Sequence, residues 1–140
     1  MPESVNVKWA KAPAEHDYPA AASYLGLLAA PALVEALTAL LAQAPTVQQR
    51  AKDVLRASRR RLLPADDAEV AKDIKKITEG RELSPILLVR GDLRRDRALQ
   101  IADGYHRVCA GYHVDENTAI PCRLVDLPSP AEQQGCGSLA

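Results

Sequence analysis

The hydrophobic period changes once along this chain, near residue 80, and that change limits what 140 residues can fold into. Before it, apolar residues recur at helical spacing. They predict helices over 19–30, 31–43 and 46–57, the second with Leu33, Leu37, Leu40 and Leu41 on one stripe. Asp17 is the expected cap of the first helix, ahead of Pro19, since proline is tolerated in a first turn. Pro45-Thr46 supplies a break before the third. A fourth helix is expected over 66–80, capped by Asp66 or Asp67, burying Val70, Ile74 and Ile77, and ended by Gly80. Beyond Gly80 the runs 86–90, 98–102 and 120–125 read as strands. The polar connection GDLRRDR makes a hairpin of the first two, and a helix over 105–114 precedes the third. The expected fold class is α+β in a single domain. It divides into a helical layer over 1–62, a core over 63–127 and a loose tail over 128–140.

The length suits one domain with a real core. Eighteen basic residues balance eighteen acidic ones, so the overall charge gives no reason to expect nucleic acid, and any basic site must be local. The opening MPESVNVKWAKAPAEHDY has no basic segment followed by an apolar core, so a signal peptide is not expected. Pro31 and Glu35 interrupt the longest apolar stretch before it reaches the roughly 18 residues of a membrane span. The expected location is the cytoplasm. Cys109, Cys122 and Cys136 form no CxxC pair and read as reduced thiols, not as a disulfide framework or a zinc site.

The chemistry concentrates in LQIADGYHRVCAGYH, residues 99–113. A strand that ends in Asp103-Gly104 and passes at once into a helix aims that helix's unpaired N–H groups and partial positive charge outward. Gly104 permits close backbone approach, and His106 and Arg107 supply donors of the kind that hold phosphate oxygens. Cations at a helix N-terminus are unfavourable in isolation, so a bound anion would account for them. The plainer alternative has Asp103 capping the helix, Arg107 paired to a surface carboxylate and His106 solvated. On the preceding helix Glu69, Lys72 and Lys76 stand at i, i+3 and i+7 and share one face, which can equally be a solvated face carrying an ion pair.

The run SPILLVRGD…LQIADGYHRVCAGYHVDENTAIPCRLV, residues 84–125, resembles the core of the ParB/sulfiredoxin-like superfamily. There a Pro-Ile strand precedes an Asp-Gly-x-His-Arg or Gly-Glu-Arg-Arg type motif and a closing Ile-Pro strand. The likeness extends back to Asp66 and leaves the first 60 or so residues without a counterpart. It implies a small mixed sheet with flanking helices and a nucleotide site. Gly104, His106 and Arg107 match the motif's phosphate-binding positions, with Asp103 and Tyr105 beside them. It also implies phosphate contacts from Lys72 and Lys76, catalytic roles for Glu69 as base and for His106, and Asp103 as a magnesium ligand. ATP, ADP and CTP all remain open as the nucleotide. Tyr105 stands where sulfiredoxins carry their reactive cysteine, which speaks against sulfinic acid repair. It also replaces the acid of the ParB pattern, whose arginines give way to His106 and Cys109, and this speaks against CTP hydrolysis in the ParB manner. Asp-Gly-x-His-Arg is closest to the family's free serine kinases, which transfer a phosphoryl group from ADP.

Three other features have simpler explanations. Arg56, Arg59, Arg60 and Arg61 read as a solvated linker rather than a phosphate or RNA contact. His16-Asp17-Tyr18 reads as a helix cap rather than a base with its orienting carboxylate. Trp9 and the tyrosines are too sparse for a base-stacking platform. Two function classes follow: a phosphoryl-transfer or nucleotide-hydrolysing enzyme, and a nucleotide-responsive module whose N-terminal helices engage a protein partner. A homodimer is compatible with either. Only about 15 residues follow Val125, so the DNA-reading domain that follows this core in ParB proteins is not expected.

Overall fold

The run Ile86–Val89 is apolar at every position and buried at every position, so it must lie inside a sheet covered on both faces. The computed structural model describes residues 6–129, and it places this strand accordingly. The first half holds β1 (Lys8–Trp9), α1 (Asp17–Leu25), α2 (Pro31–Gln43), β2 (Thr46–Arg50) and α3 (Ala51–Ser58). Then come α4 (Ala68–Thr78), β3 (Glu82–Leu83), β4 (Ile86–Val89) and a single 3-10 turn at Leu93–Arg95. The chain closes with β5 (Gln100–Asp103), α5 (Tyr105–Val114) and β6 (Ala119–Val125). The fold is α+β. Its main sheet has the order β2-β6-β4-β5, antiparallel except for the parallel pair β4–β6, in which Ile86 lies opposite Cys122 and Leu88 opposite Leu124.

Successive residues of β4 point to opposite faces, and the core divides with them. Ile86 and Leu88 pack with Val54, Val70, Val108 and Ile120, under α3, α4 and α5. Leu87 and Val89 pack with Ala21, Leu25, Leu37 and Leu41, under α1 and α2. Helices therefore cover both faces of the sheet. Arg123 of β6 holds α2 in place by donating from Nη1 to the carbonyl of Ala42 at 2.7 Å, near the helix end where carbonyls lack partners.

The expectation of a helix over 46–57 fails. Thr46–Arg50 is a strand paired with β6, from Thr46 opposite Arg123 to Arg50 opposite Ala119, and only Ala51–Ser58 is helical. A strand that would otherwise leave one side of β6 unpaired outweighs the weak helical preference of TVQQR. The amides of Ala51 and Lys52, at the start of α3, donate to the carbonyls of Thr118 and Glu116, which locks the switch from strand to helix. The N-terminal half is thus three helices with a sheet-edge strand between the second and third, not a purely helical layer. The first helix also stops at Leu25, with Gly26 as its C-cap, short of residue 30, where Ala30 ahead of Pro31 is extended. Leu40, placed on the buried stripe from sequence, is 41% exposed.

The other elements follow their local signals. Asp67 caps α4 by accepting from the amides of Glu69 and Val70, both at 3.1 Å, and Gly80, at φ +75°, ends it. The β4–β5 hairpin and the helix at 105–114 form as expected. Parallel pairing of β1 with β3 draws the N-terminal segment along the rim of the core, next to Ser84. No helix among the described residues is long and apolar enough to cross a membrane. Cys136 and all but the first residues of the expected tail lie outside the described residues.

Candidate functional site

Gly104 joins β5 to α5 in the left-handed region, at φ +111°. A Cβ there would stand 2.4 Å from Cγ2 of Ile86 and 2.9 Å from Nη2 of Arg107, so only glycine fits. Among the described residues no side chain caps the first turn of α5, and Gly104, Tyr105, His106 and Arg107 at its start line a cleft of about 410 Å³. One wall is α4, through Glu69, Asp73 and Lys76. Another is the segment Glu82, Leu83 and Ser84, and the N-terminal segment reaches over with Ala10, Ala14 and His16.

Arg107 lies beneath the helix start with its side chain 15% exposed. Its Nη2 donates to Oδ2 of Asp103 at 2.7 Å, and its Nη1 lies 3.7 Å from Oδ1 of Asp17. Asp17 is 2% exposed and accepts from the Ser84 hydroxyl at 2.7 Å and from the Ala14 amide at 3.0 Å. These bonds overturn its expected role: α1 begins at Asp17 itself, its N-cap position is His16, and the carboxylate turns inward instead of capping. Two carboxylates therefore share one guanidinium. Nε of Arg107 is buried with no hydrogen-bond partner.

Burial raises two carboxyls here. Asp103 is pushed above its ordinary value by desolvation, against the pull of Arg107 and with the Asp17 carboxylate adding to the rise. Asp73 is raised by desolvation against the attraction of Lys76, Arg107 and His106, and Glu69 adds to the rise. Asp73 is thus the α4 carboxyl that senses the α5 helix start.

The expected site residues divide. Glu69, Lys76, Asp103, Gly104, Tyr105, His106 and Arg107 all border the one cleft. Lys72 does not: its Nζ pairs with Oε2 of Glu69 at 3.3 Å on the exposed side of α4. The Tyr105 hydroxyl donates to the carbonyl of Arg61 at 2.6 Å while the Arg60 guanidinium lies 4.0 Å above its ring, so Tyr105 anchors the preceding linker to the helix start. His106 stands at the rim, its Nε2 4.0 Å from Oδ2 of Asp67.

Sequence reasoning missed Asp73 and Ser84, and set Asp17 aside as a helix cap. Asp73 was findable, since it stands four residues after Glu69 and three before Lys76 on the same helical face. Asp17 was not, because its place depends on α1 packing beside β5, where the Tyr24 hydroxyl donates to Oε1 of Gln100. Cys109 and Cys122 are fully buried core residues with thiols raised by burial, that of Cys122 to about 11, and neither lines the cleft.

No protein-family model, curated protein or solved structure matches the chain. The cleft's own chemistry carries the functional argument.

Among the described residues no group of three or more His, Cys, Asp or Glu can hold a metal ion. Magnesium carried on a phosphate takes only one or two protein carboxylates. Glu69 is placed to supply one, being a cleft carboxylate of α4 that does not hydrogen-bond Arg107.

Proposed function

We propose that the chain binds a nucleotide as its magnesium complex in this cleft, as a ParB/sulfiredoxin-like protein, and transfers or hydrolyses its terminal phosphoryl group. The observation that carries this reading is the convergence on one α5 helix start of Gly104, His106, Lys76 and the α4 carboxylates. The phosphates accept from the first-turn amides of α5, with Lys76 and His106 on either side. Magnesium, when bound, would supply neutralisation of phosphate charge beside Glu69. Arg107, held by Asp103 and Asp17, offsets part of their negative charge beneath the helix start. Asp73 accepts the proton of the attacking hydroxyl or water. Glu69 is the weaker base candidate because it is exposed and already paired with Lys72.

The non-catalytic reading has one observation in its favour. Asp17 ties α1 to Arg107, so a ligand that drew Arg107 toward phosphate would loosen the N-terminal helices.

Calorimetry and thermal shift with ATP, ADP, CTP and GTP, with and without magnesium, test binding, since a ligand specific for the folded state raises the melting temperature by mass action. The expected result is a magnesium-dependent rise with at least one nucleotide, and turnover that falls about 100-fold or more in Asp73→Asn while binding persists. Absence of binding across the panel overturns the nucleotide reading. Binding without turnover, including trials with free serine as acceptor, selects the responsive module. Equal loss in Glu69→Gln with none in Asp73→Asn moves the base to Glu69.

A further inference from the structure

On the other side of β4 from the α1–α2 layer, a second cleft of about 850 Å³ opens between α3, the hairpin connection and the strands, and it shares no residue with the first. Its floor is apolar: Val54, Leu88, Leu99 and Leu124. Its rim is basic, carrying Arg56, Arg59, Arg90, Arg94 and Arg97 against only two lining carboxylates, Asp53 and Asp92. Asp53 pairs with Arg56, Asp92 with Arg95, Asp96 with Arg59 and Asp126 with Arg90. Among the described residues this leaves no carboxylate for Arg94 or Arg97.

The connection that presents these arginines is shaped in advance. Asp92 and Arg97 exchange backbone hydrogen bonds, both at 2.9 Å, across its neck. Gly91 is required there, because a Cβ would stand 2.3 Å from the carbonyl oxygen of Arg97 and 2.8 Å from the Leu99 nitrogen. The Leu99 amide in turn donates to the Ala57 carbonyl at 3.0 Å, which pins the far side of the connection to α3. Leu93 stands fully exposed at the mouth, an apolar group with no protein cover.

We propose that this cleft is a binding site for a small amphiphilic anion: an apolar chain laid over the four aliphatic floor residues, with a single carboxylate or phosphate head held by Arg94 and Arg97. The volume lies within the roughly 300–1,000 Å³ of small-molecule sites, which are mostly apolar with a few placed polar groups. None of the lining residues is aromatic, so the base stacking that single-stranded nucleic acid relies on has no platform here. Arginine suits either head group because its planar fork presents paired donors. An apolar floor alone would accept a neutral chain, and the unpaired arginines select the charged one.

Decanoate and decyl phosphate, below their micelle concentrations, are titrated calorimetrically into the full chain beside decanol and acetate. At least one of the two anionic amphiphiles should bind saturably at one per chain. Decanol and acetate should bind about tenfold or more weakly, as the loss of a charge-assisted contact or of the apolar chain requires. Arg94→Ala combined with Arg97→Ala should weaken the amphiphile by about tenfold or more, with the circular dichroism spectrum and melting temperature unchanged because neither side chain pairs with a carboxylate among the described residues. Four results overturn the proposal: no saturable binding of either amphiphile, decanol binding as tightly as the anions, no loss in the double variant, or displacement by ADP with magnesium, which would move the anion to the α5 cleft.

Discussion

Arg107→Ala should destabilise the fold by about 3 kcal/mol, far more than loss of a surface arginine. Removing one partner of a buried ion pair leaves the other charge uncompensated, at about 3–5 kcal/mol. Asp17 is 2% exposed and cannot rehydrate without opening α1, but it keeps the Ser84 and Ala14 hydrogen bonds and the His16 Nε2 contact at 3.4 Å, which offset part of the loss. Asp103, at 19% side-chain exposure, recovers some water. The lower end of the range is therefore expected. Urea unfolding of wild type, Arg107→Ala, Asp17→Asn and the double variant, at constant slope, isolates the Asp17–Arg107 coupling at about 1–2 kcal/mol. The deficit should also shrink on acidification. The native Asp103 carboxyl is already raised with Arg107 present, and Arg107 is what pulls it down, so the variant's carboxyl rises further. A carboxyl raised in the native state contributes stability that is fully present below its ordinary value near 3.8 and is lost as pH rises through the native value. A deficit under about 1 kcal/mol, or one independent of pH, would refute the shared-guanidinium argument.

Gly104→Ala combines a left-handed backbone with a Cβ driven into Ile86 at 2.4 Å, and should lower stability by about 2–4 kcal/mol in thermal or urea unfolding. A loss under about 1 kcal/mol would mean that the β5–α5 junction can rearrange. Asp73→Asn should raise the melting temperature at pH 7, because burial disfavours the charged carboxyl, and the gain should shrink as pH falls through the raised native value toward the ordinary 3.8. A melting-temperature series against pH for both proteins checks this, and an equal gain at both ends would exclude desolvation as the cause.

What could be read in advance was what local chemistry decides. α4 is specified by Asp67 at one end and Gly80 at the other, and α5 by the Asp103-Gly104 junction, so both formed where the residues placed them. The hairpin needed only two apolar runs and a short polar connection. Residues 46–50 carry no such signal: TVQQR neither alternates nor breaks, and it becomes a strand only because β6, far along the chain, has a free edge to pair. The cleft divides in the same way. Its α5 side was legible because one short motif holds Gly104, His106 and Arg107. Its acidic depth was not, since Asp17 comes from a helix with no sequence link to β5, and burial rather than residue type sets the character of Asp73 and Asp103.

That acidic depth changes what the helix start can bind. Glu69, Asp73, Glu82 and Asp103 border the cleft against Lys76 and Arg107, and Asp17 lies behind Arg107. Fully ionised, these carboxylates outnumber the cations, and Arg107, the strongest donor in the motif, is already shared between two of them. A bare phosphate would gain the α5 amides and Lys76 but meet the field of α4 at close range, in a half-buried site where like charges are weakly screened. Neutralising that field takes either a proton on Asp73 and Asp103, which their raised carboxyls favour, or a divalent cation carried in by the ligand. Inorganic phosphate should therefore bind more tightly as pH falls, whereas a nucleotide with magnesium should keep its affinity at neutral pH. The same carboxylates that weaken this cleft as a simple anion site are the ones a phosphoryl-transfer site needs.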